Sequence, residues 1–226
     1  MKQKEVKEHF RKQVSEYVEL MGRLVPQYME QQKFLCELIP FDRSRPIHVL
    51  DLGSGPGVLS ELVLKRFPQA KVLAFDLTEE MLKACRQRLA AFEGRLDIRQ
   101  GDFSTDSFGV GYDVILAGLT LHHLDHEGRR EVYARLYAAL NSPGIFLARE
   151  VIVDDDPLVT EWHYSLWRSF LRASGEDDAF WYAKHREKDH PVSVEQQSAW
   201  LRRAGFMHVA CHWRYWNSAI ISAQKK

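Results

Sequence analysis

The 226-residue chain has little of what marks a specialised setting. Lys+Arg and Asp+Glu balance at 31 each. No charge surplus therefore favours a polyanion, and nucleic-acid binding is not expected without a local basic patch. The three cysteines, Cys36, Cys85 and Cys211, are far apart and lack metal-ligand spacing. They suit a reducing cytoplasm, where they act as small buried apolar residues. No run approaches the roughly 20 apolar residues of a membrane span, and the charged start Met1-Lys2-Gln3-Lys4-Glu5 is no signal peptide. Internal repeats and low-complexity segments are also missing.

Aromatics are plentiful. Four of the six tryptophans, Trp162, Trp167, Trp181 and Trp200, fall between residues 160 and 200.

Residues 1–39 read as helical. Phe10, Val14, Tyr17, Val18 and Met21 recur at helical spacing, and Pro26 suits the first turn of a second helix. The cluster Lys2, Lys4, Lys7, Arg11 and Lys12 reads as a solvated helix face. From residue 47 strands and helices alternate. Residues 47–52 are a short, mostly apolar run of the kind expected for a strand buried on both faces, and 71–76, 96–100, 112–117 and 145–149 read as the next four strands. The helices between them carry Leu59, Leu62 and Val63, then Met81, Leu82 and Leu89, then Val132, Leu136 and Leu140, with Thr78 and Asp125 expected as caps. Five alternations argue for an α/β fold with an open parallel sheet and right-handed crossovers. The pattern lapses over 154–192, a polar and aromatic stretch. It is followed by a helix over 194–203 and two strand-like runs close enough to pair as a hairpin.

In such a sheet a ligand sits beyond the carboxyl ends of the strands. The first strand ends in Asp51-Leu52-Gly53-Ser54-Gly55-Pro56-Gly57, a turn whose backbone can approach a ligand closely and lead into a helix N-terminus. The second ends in Asp76, a carboxylate suited to two ribose hydroxyls. The third is followed by Gly101-Asp102-Phe103, an acceptor and a ring suited to adenine. Together they describe a nucleoside site. The spacing is Gly-x-Gly-x-Gly, and Val58 stands where a dinucleotide fingerprint has its third glycine. Pro56 also removes an amide that a pyrophosphate would use. Both disfavour NAD.

Val49 to Gly57 resembles motif I of the class I S-adenosylmethionine (SAM)-dependent methyltransferases. Phe75-Asp76 resembles motif II, Gly101-Asp102-Phe103 the adenine-contacting motif, and Tyr112-Asp113-Val114-Ile115 the start of motif IV. The likeness is close over about 45–152. It implies an open, mostly parallel seven-stranded sheet with helices on both faces and the last strand antiparallel. It also implies one domain over 1–226, with an N-terminal helical cap (1–39), a SAM-binding core (45–152), a lid insertion (154–192) and a C-terminal helix and hairpin (193–226). SAM is the implied cofactor. Gly53 and Gly55 would approach its methionine part and Asp76 its ribose. Leu77 and Phe103 would flank the adenine, and Asp102 would bind its amino group. Ala117 and Gly118 would line the transfer cleft, and Asp51, Ser54, Gly57 and Met81 complete the set.

The implied reaction is in-line methyl transfer to a small-molecule acceptor in the cytoplasm, with no metal; a homodimer stays open. Ala117-Gly118-Leu119-Thr120 lacks the motif of exocyclic-amine nucleic-acid methyltransferases and the metal-binding Asp of catechol-type enzymes. No cysteine between Cys85 and Cys211 is available for a C5-cytosine mechanism. His122 and His123 are candidate bases near pH 7. Tyr17, Met21, Tyr28, Arg149, Trp162, Trp167 and Trp181 are candidate substrate contacts, and Glu150 shares the strand end with Arg149. The helical start and Trp-containing hairpin are also similar in layout to carboxy-SAM synthase, whose product carboxylate Lys184, Arg186 or Arg214 would have to clamp. A tRNA-modification methyltransferase and a non-catalytic SAM-binding module are the remaining readings.

Overall fold

A computed structural model describes residues 16–226. The expectations placed on Phe10, Val14 and the Lys2–Lys12 cluster lie outside the described residues. Five parallel strands, β1 (His48–Leu52), β2 (Lys71–Asp76), β3 (Leu96–Gln100), β4 (Tyr112–Gly118) and β5 (Leu140–Val151), form one sheet with β6 (Met207–Tyr215) and β7 (Ser218–Lys225). The order is β3-β2-β1-β4-β5-β7-β6, with β7 antiparallel to both its neighbours. The hairpin therefore inserts its second strand between β5 and β6.

Helices cover both faces because neighbouring strand residues point opposite ways. Val49 joins an apolar cluster with Val63 and Phe67, at α3 (Val58–Arg66) and its C-cap. Leu50, the next residue, joins Tyr133 and Leu136 of α5 (His126–Ala139) on the other face. All six of these side chains are buried. Burying one such side chain fully is worth about 1.5–3 kcal/mol, which is what holds each helix to the sheet.

The order reverses between β1 and β4, and a crevice opens there at the carboxyl edge. Over that edge lie α1 (described over 16–24), α2 (Tyr28–Glu37), and the lid helices α6 (Pro157–Ala173) and α7 (Asp178–Lys188). A third cluster of Tyr164, Trp167 and Leu171, with Leu24, Trp181 and Tyr182 against it, packs these pieces together. Trp167 Nε1 donates to the Leu24 carbonyl at 2.8 Å, tying the lid to the end of α1. The remaining helices are α4 (Glu79–Arg88) and α8 (Val194–Arg203). Among the described residues no helix is long and apolar enough to cross a membrane.

Four local expectations differ. Pro26 precedes α2 rather than opening it, because Gln27 intervenes as N-cap with φ 55°. Thr78 does not cap α4 with its side chain; its amide and Oγ1 donate to Asp76 Oδ1 at 3.0 and 3.1 Å. β5 begins at Leu140, so Pro143 and Gly144 lie within it. Cys211 is exposed on β6, whereas Cys36 and Cys85 are buried. Asp125 caps α5 as expected, accepting from the Gly128 amide at 2.8 Å.

Candidate active site

The glycine turn is stitched to the next strand: the Gly53 and Ser54 amides donate to the Phe75 carbonyl at 2.8 and 3.1 Å. Gly55 has φ +52°, and a Cβ there would meet nothing within 4 Å, so this face of the turn is open to a ligand. Gly57, at φ +78°, has another reason: a Cβ would come within 2.7 Å of Cys85 Sγ, so it lets α3 and α4 approach. Below the turn Asp51 is buried and accepts from the Ser60 amide and hydroxyl at 3.0 and 2.6 Å. Burial pushes its carboxyl up to about 6 despite those bonds.

Asp76 stands beside the turn, with Oδ2 accepting from the Gly55 amide at 2.8 Å. The Gly101 amide donates to the Asp76 carbonyl at 3.0 Å, which brings Asp102 to the same edge. Asp102 accepts from Ser104 through its amide and hydroxyl, and these bonds hold its carboxyl low. Leu77 is 58% exposed.

A narrow cleft of about 30 Å³ runs from Asp51, Gly53, Ser54 and Gly55 to Gly118 and Arg149, roofed by Tyr17, Met21 and Tyr28. Arg149 is buried, its guanidinium carbon 4.7 Å from the centre of the Tyr28 ring. Its Nε and Nη1, and the Ser54 Oγ, have no hydrogen-bond partner among the described residues. Burial lowers the pKa of Arg149 and pushes Tyr17 up to about 12. A buried cation with idle donors asks for an anion.

Next to the cleft, sharing Tyr17, Met21 and Leu119, is a cavity of about 260 Å³. Its walls include Leu24, Val25, Trp167 and Trp181; its polar lining includes His122, His123, His185 and Asp189. His122 and Glu150 are buried. His122 Nδ1 donates to Glu150 Oε2 at 3.0 Å, and the same carboxylate accepts from the Leu121 and His122 amides at 3.2 and 3.1 Å. Burial holds the His122 pKa below its usual value, although Glu150 pulls the other way. The ring is therefore neutral near pH 7, with its proton on Nδ1 and a lone pair on Nε2.

Asp189 Oδ1 lies 3.9 Å from that Nε2, beyond hydrogen-bond reach. Asp189 itself accepts from His123 Nδ1 at 2.9 Å and His185 Nδ1 at 2.7 Å. Its burial works against ionisation, but the two histidine bonds outweigh it and hold the carboxyl well below its usual range. Ligand-type atoms of His122, His123 and Asp189 come within 4.8 Å of one another. Each Nδ1 already donates to a carboxylate, so hydrogen bonding accounts for the grouping without a cation.

Residues 49–144 match a family model described as a methyltransferase domain. The sheet, with β7 antiparallel, is that of the class I SAM-dependent methyltransferase fold. A carboxy-S-adenosyl-L-methionine synthase from Chromohalobacter salexigens is 28% identical over 221 residues, 95% of this chain and 82% of the relative. Among solved structures, an O-methyltransferase family 2 protein from Planctomyces limnophilus, in complex with apigenin, aligns with a TM-score of 0.67 at 19% identity over all of this chain. Human N-acetylserotonin methyltransferase in complex with SAM aligns at 0.60 and 23% identity over 86% of it. The chain spans 62% and 51% of the lengths of those two solved chains.

Within this fold some expected site residues do not converge. Ala117 is fully buried in the core against the sheet face, and only Gly118 reaches the cleft. Phe103 packs against the same core. Gly57, Asp76, Leu77, Met81, Asp102 and Phe103 are not part of the cleft lining. Trp162 is 63% exposed and stacks on His163, away from both cavities. Tyr28 and Arg149 belong to the cleft, whereas Trp167 and Trp181 line the larger cavity. Glu150 is fully buried behind His122 rather than presented to a substrate. Asp189 and His185 were missed. The one signal for them was a histidine and an aspartate four residues apart on a lid helix.

Proposed function

We propose that this methyltransferase moves the SAM methyl group to a hydroxyl of a small molecule held in the 260 Å³ cavity, with His122 as general base. One observation carries the reading. Buried Glu150 fixes His122 at Nδ1, and the ring belongs to a cavity that shares Tyr17, Met21 and Leu119 with the glycine-turn cleft.

The cleft fits the amino-acid end of SAM, since the idle donors of Arg149 and Ser54 match an α-carboxylate. Asp76 would take the ribose hydroxyls, Asp102 the adenine amino group, and Leu77 the ring face. With only about 30 Å³ open, room for roughly one water, Tyr17 and Met21 must give way as the methionine part enters. When bound, SAM supplies a sulfonium-activated methyl group. As the oxygen–carbon bond forms and the sulfur–carbon bond breaks, the hydroxyl proton passes to His122 Nε2, and Glu150 stabilises the imidazolium. Such a base contributes roughly 10²–10⁴-fold, and holding the reactants in line several kcal/mol more. The test is acceptor-dependent formation of S-adenosylhomocysteine (SAH), screened over phenols and lost in His122→Ala.

A second reading, carboxy-SAM synthesis, is favoured by the likeness of 95% of the chain to a relative of that name. Mass spectrometry of the co-purified nucleoside separates the two. A carboxylated SAM would overturn methyl transfer.

A further inference from the structure

We infer that the acceptor is an aromatic hydroxy acid whose carboxylate is taken by Lys184 and Lys188. This rests on the reading of the larger cavity as the acceptor site. The two lysines are one turn apart on α7, so they share a helix face, and both line that cavity. Neither is paired with a carboxylate among the described residues. The cavity's own carboxylate, Asp189, is occupied by His123 and His185. Lys184 is held in place, its Nζ 4.9 Å from the centre of the Trp181 ring, itself a cavity wall.

The lining is thus divided. It comprises buried His122, 4% exposed; apolar Met21, Leu24, Val25, Trp167 and Trp181; and the exposed lysines of α7. A flat ring that carries both a hydroxyl and an anion matches all three. At about 260 Å³ the space lies just under the usual range for drug-sized ligands, about 300–1,000 Å³, which suits one or two rings. A neutral phenol would leave both cations unmatched, and a cationic acceptor would be repelled by them.

Isothermal titration on SAH-saturated protein compares 4-hydroxybenzoate and 4-hydroxycinnamate with their amides. The expected result is at least ten-fold tighter binding of the acids, weakened by added salt. That preference should collapse in Lys184→Ala/Lys188→Ala and persist in Lys184→Arg/Lys188→Arg. Because both side chains are exposed, the alanine variant should fold normally, which its unchanged SAH affinity would verify. Equal binding of acid and amide overturns the inference, as does an acid preference that survives the double alanine variant, or no acid binding below millimolar concentration. Failure of the function reading looks different: the acids bind by the lysines, yet no SAH forms from SAM.

Discussion

Nδ1 of His122 lies 3.0 Å from Oε2 of Glu150, and that contact leaves Nε2 as the ring's free nitrogen at the larger cavity. The pair joins the turn after β4 to the end of β5, two neighbouring strands whose order brings both residues to the crevice. His122→Asn should lower kcat by about 10²–10⁴-fold with SAM affinity nearly unchanged. Glu150→Gln should lower it less, because an amide oxygen can still accept from Nδ1 while the charge is lost. Stopped assays of SAH formation beside calorimetry check both. An Asn variant with full activity would remove His122 from the chemistry.

The same pair sets a pH dependence. A base works while neutral, and burial holds the His122 pKa down against the pull of Glu150 and Asp189 and with the help of His123. kcat/KM should therefore rise with pH through a midpoint below about 6.5, the free histidine value, and stay level above it. His123→Gln removes a nearby imidazole that disfavours a second positive charge, so the midpoint should move up. A profile with its midpoint above 7 would contradict this.

Much of the frame was legible because strand and helix periodicity is local. β3 and α8 have the bounds expected of them, and Asp76 sits at the strand end beside the glycine turn. What was not legible depends on convergence between distant elements. Glu150 is 28 residues from His122, and Asp189 is 66 from His123. No spacing rule links such residues until the strand order is known. The tryptophans of the lid read alike in sequence, yet Trp167 and Trp181 face the cavity and Trp162 faces solvent. Helical phase on α6, set by the packing of Tyr164, Trp167 and Leu171, separates Trp167 from Trp162.

Arg149 offers a cofactor test independent of any acceptor. Its Nε and Nη1 are idle, and the residue lines the cleft at the glycine turn. Arg149→Met should weaken SAH by about 10–100-fold, the loss expected of charge-assisted hydrogen bonds worth about 1.5–3 kcal/mol. Binding of 5′-methylthioadenosine, which lacks the amino-acid end, should be unaffected. A variant that weakens both ligands equally would mean that Arg149 supports the fold of the site rather than the carboxylate. Arg149→Lys, which keeps the charge but loses the fork, should fall between.

Gly57 tests the turn itself. Its φ of +78° is costly for any other residue, and an added Cβ would press to 2.7 Å on Cys85 Sγ. Gly57→Ala should destabilise the protein by about 1–3 kcal/mol, from strained backbone and from overpacking of a closed contact. Adding Cys85→Ala opens the space but leaves the backbone strain, so it should lessen the defect caused by Gly57→Ala. Urea denaturation of the two single variants and the double variant gives the coupling directly. The thiol's removal costs a little on its own, since Cys85 is buried against the core. Strict additivity of the two changes would mean that the close approach of α3 and α4 at this point is not what requires the glycine.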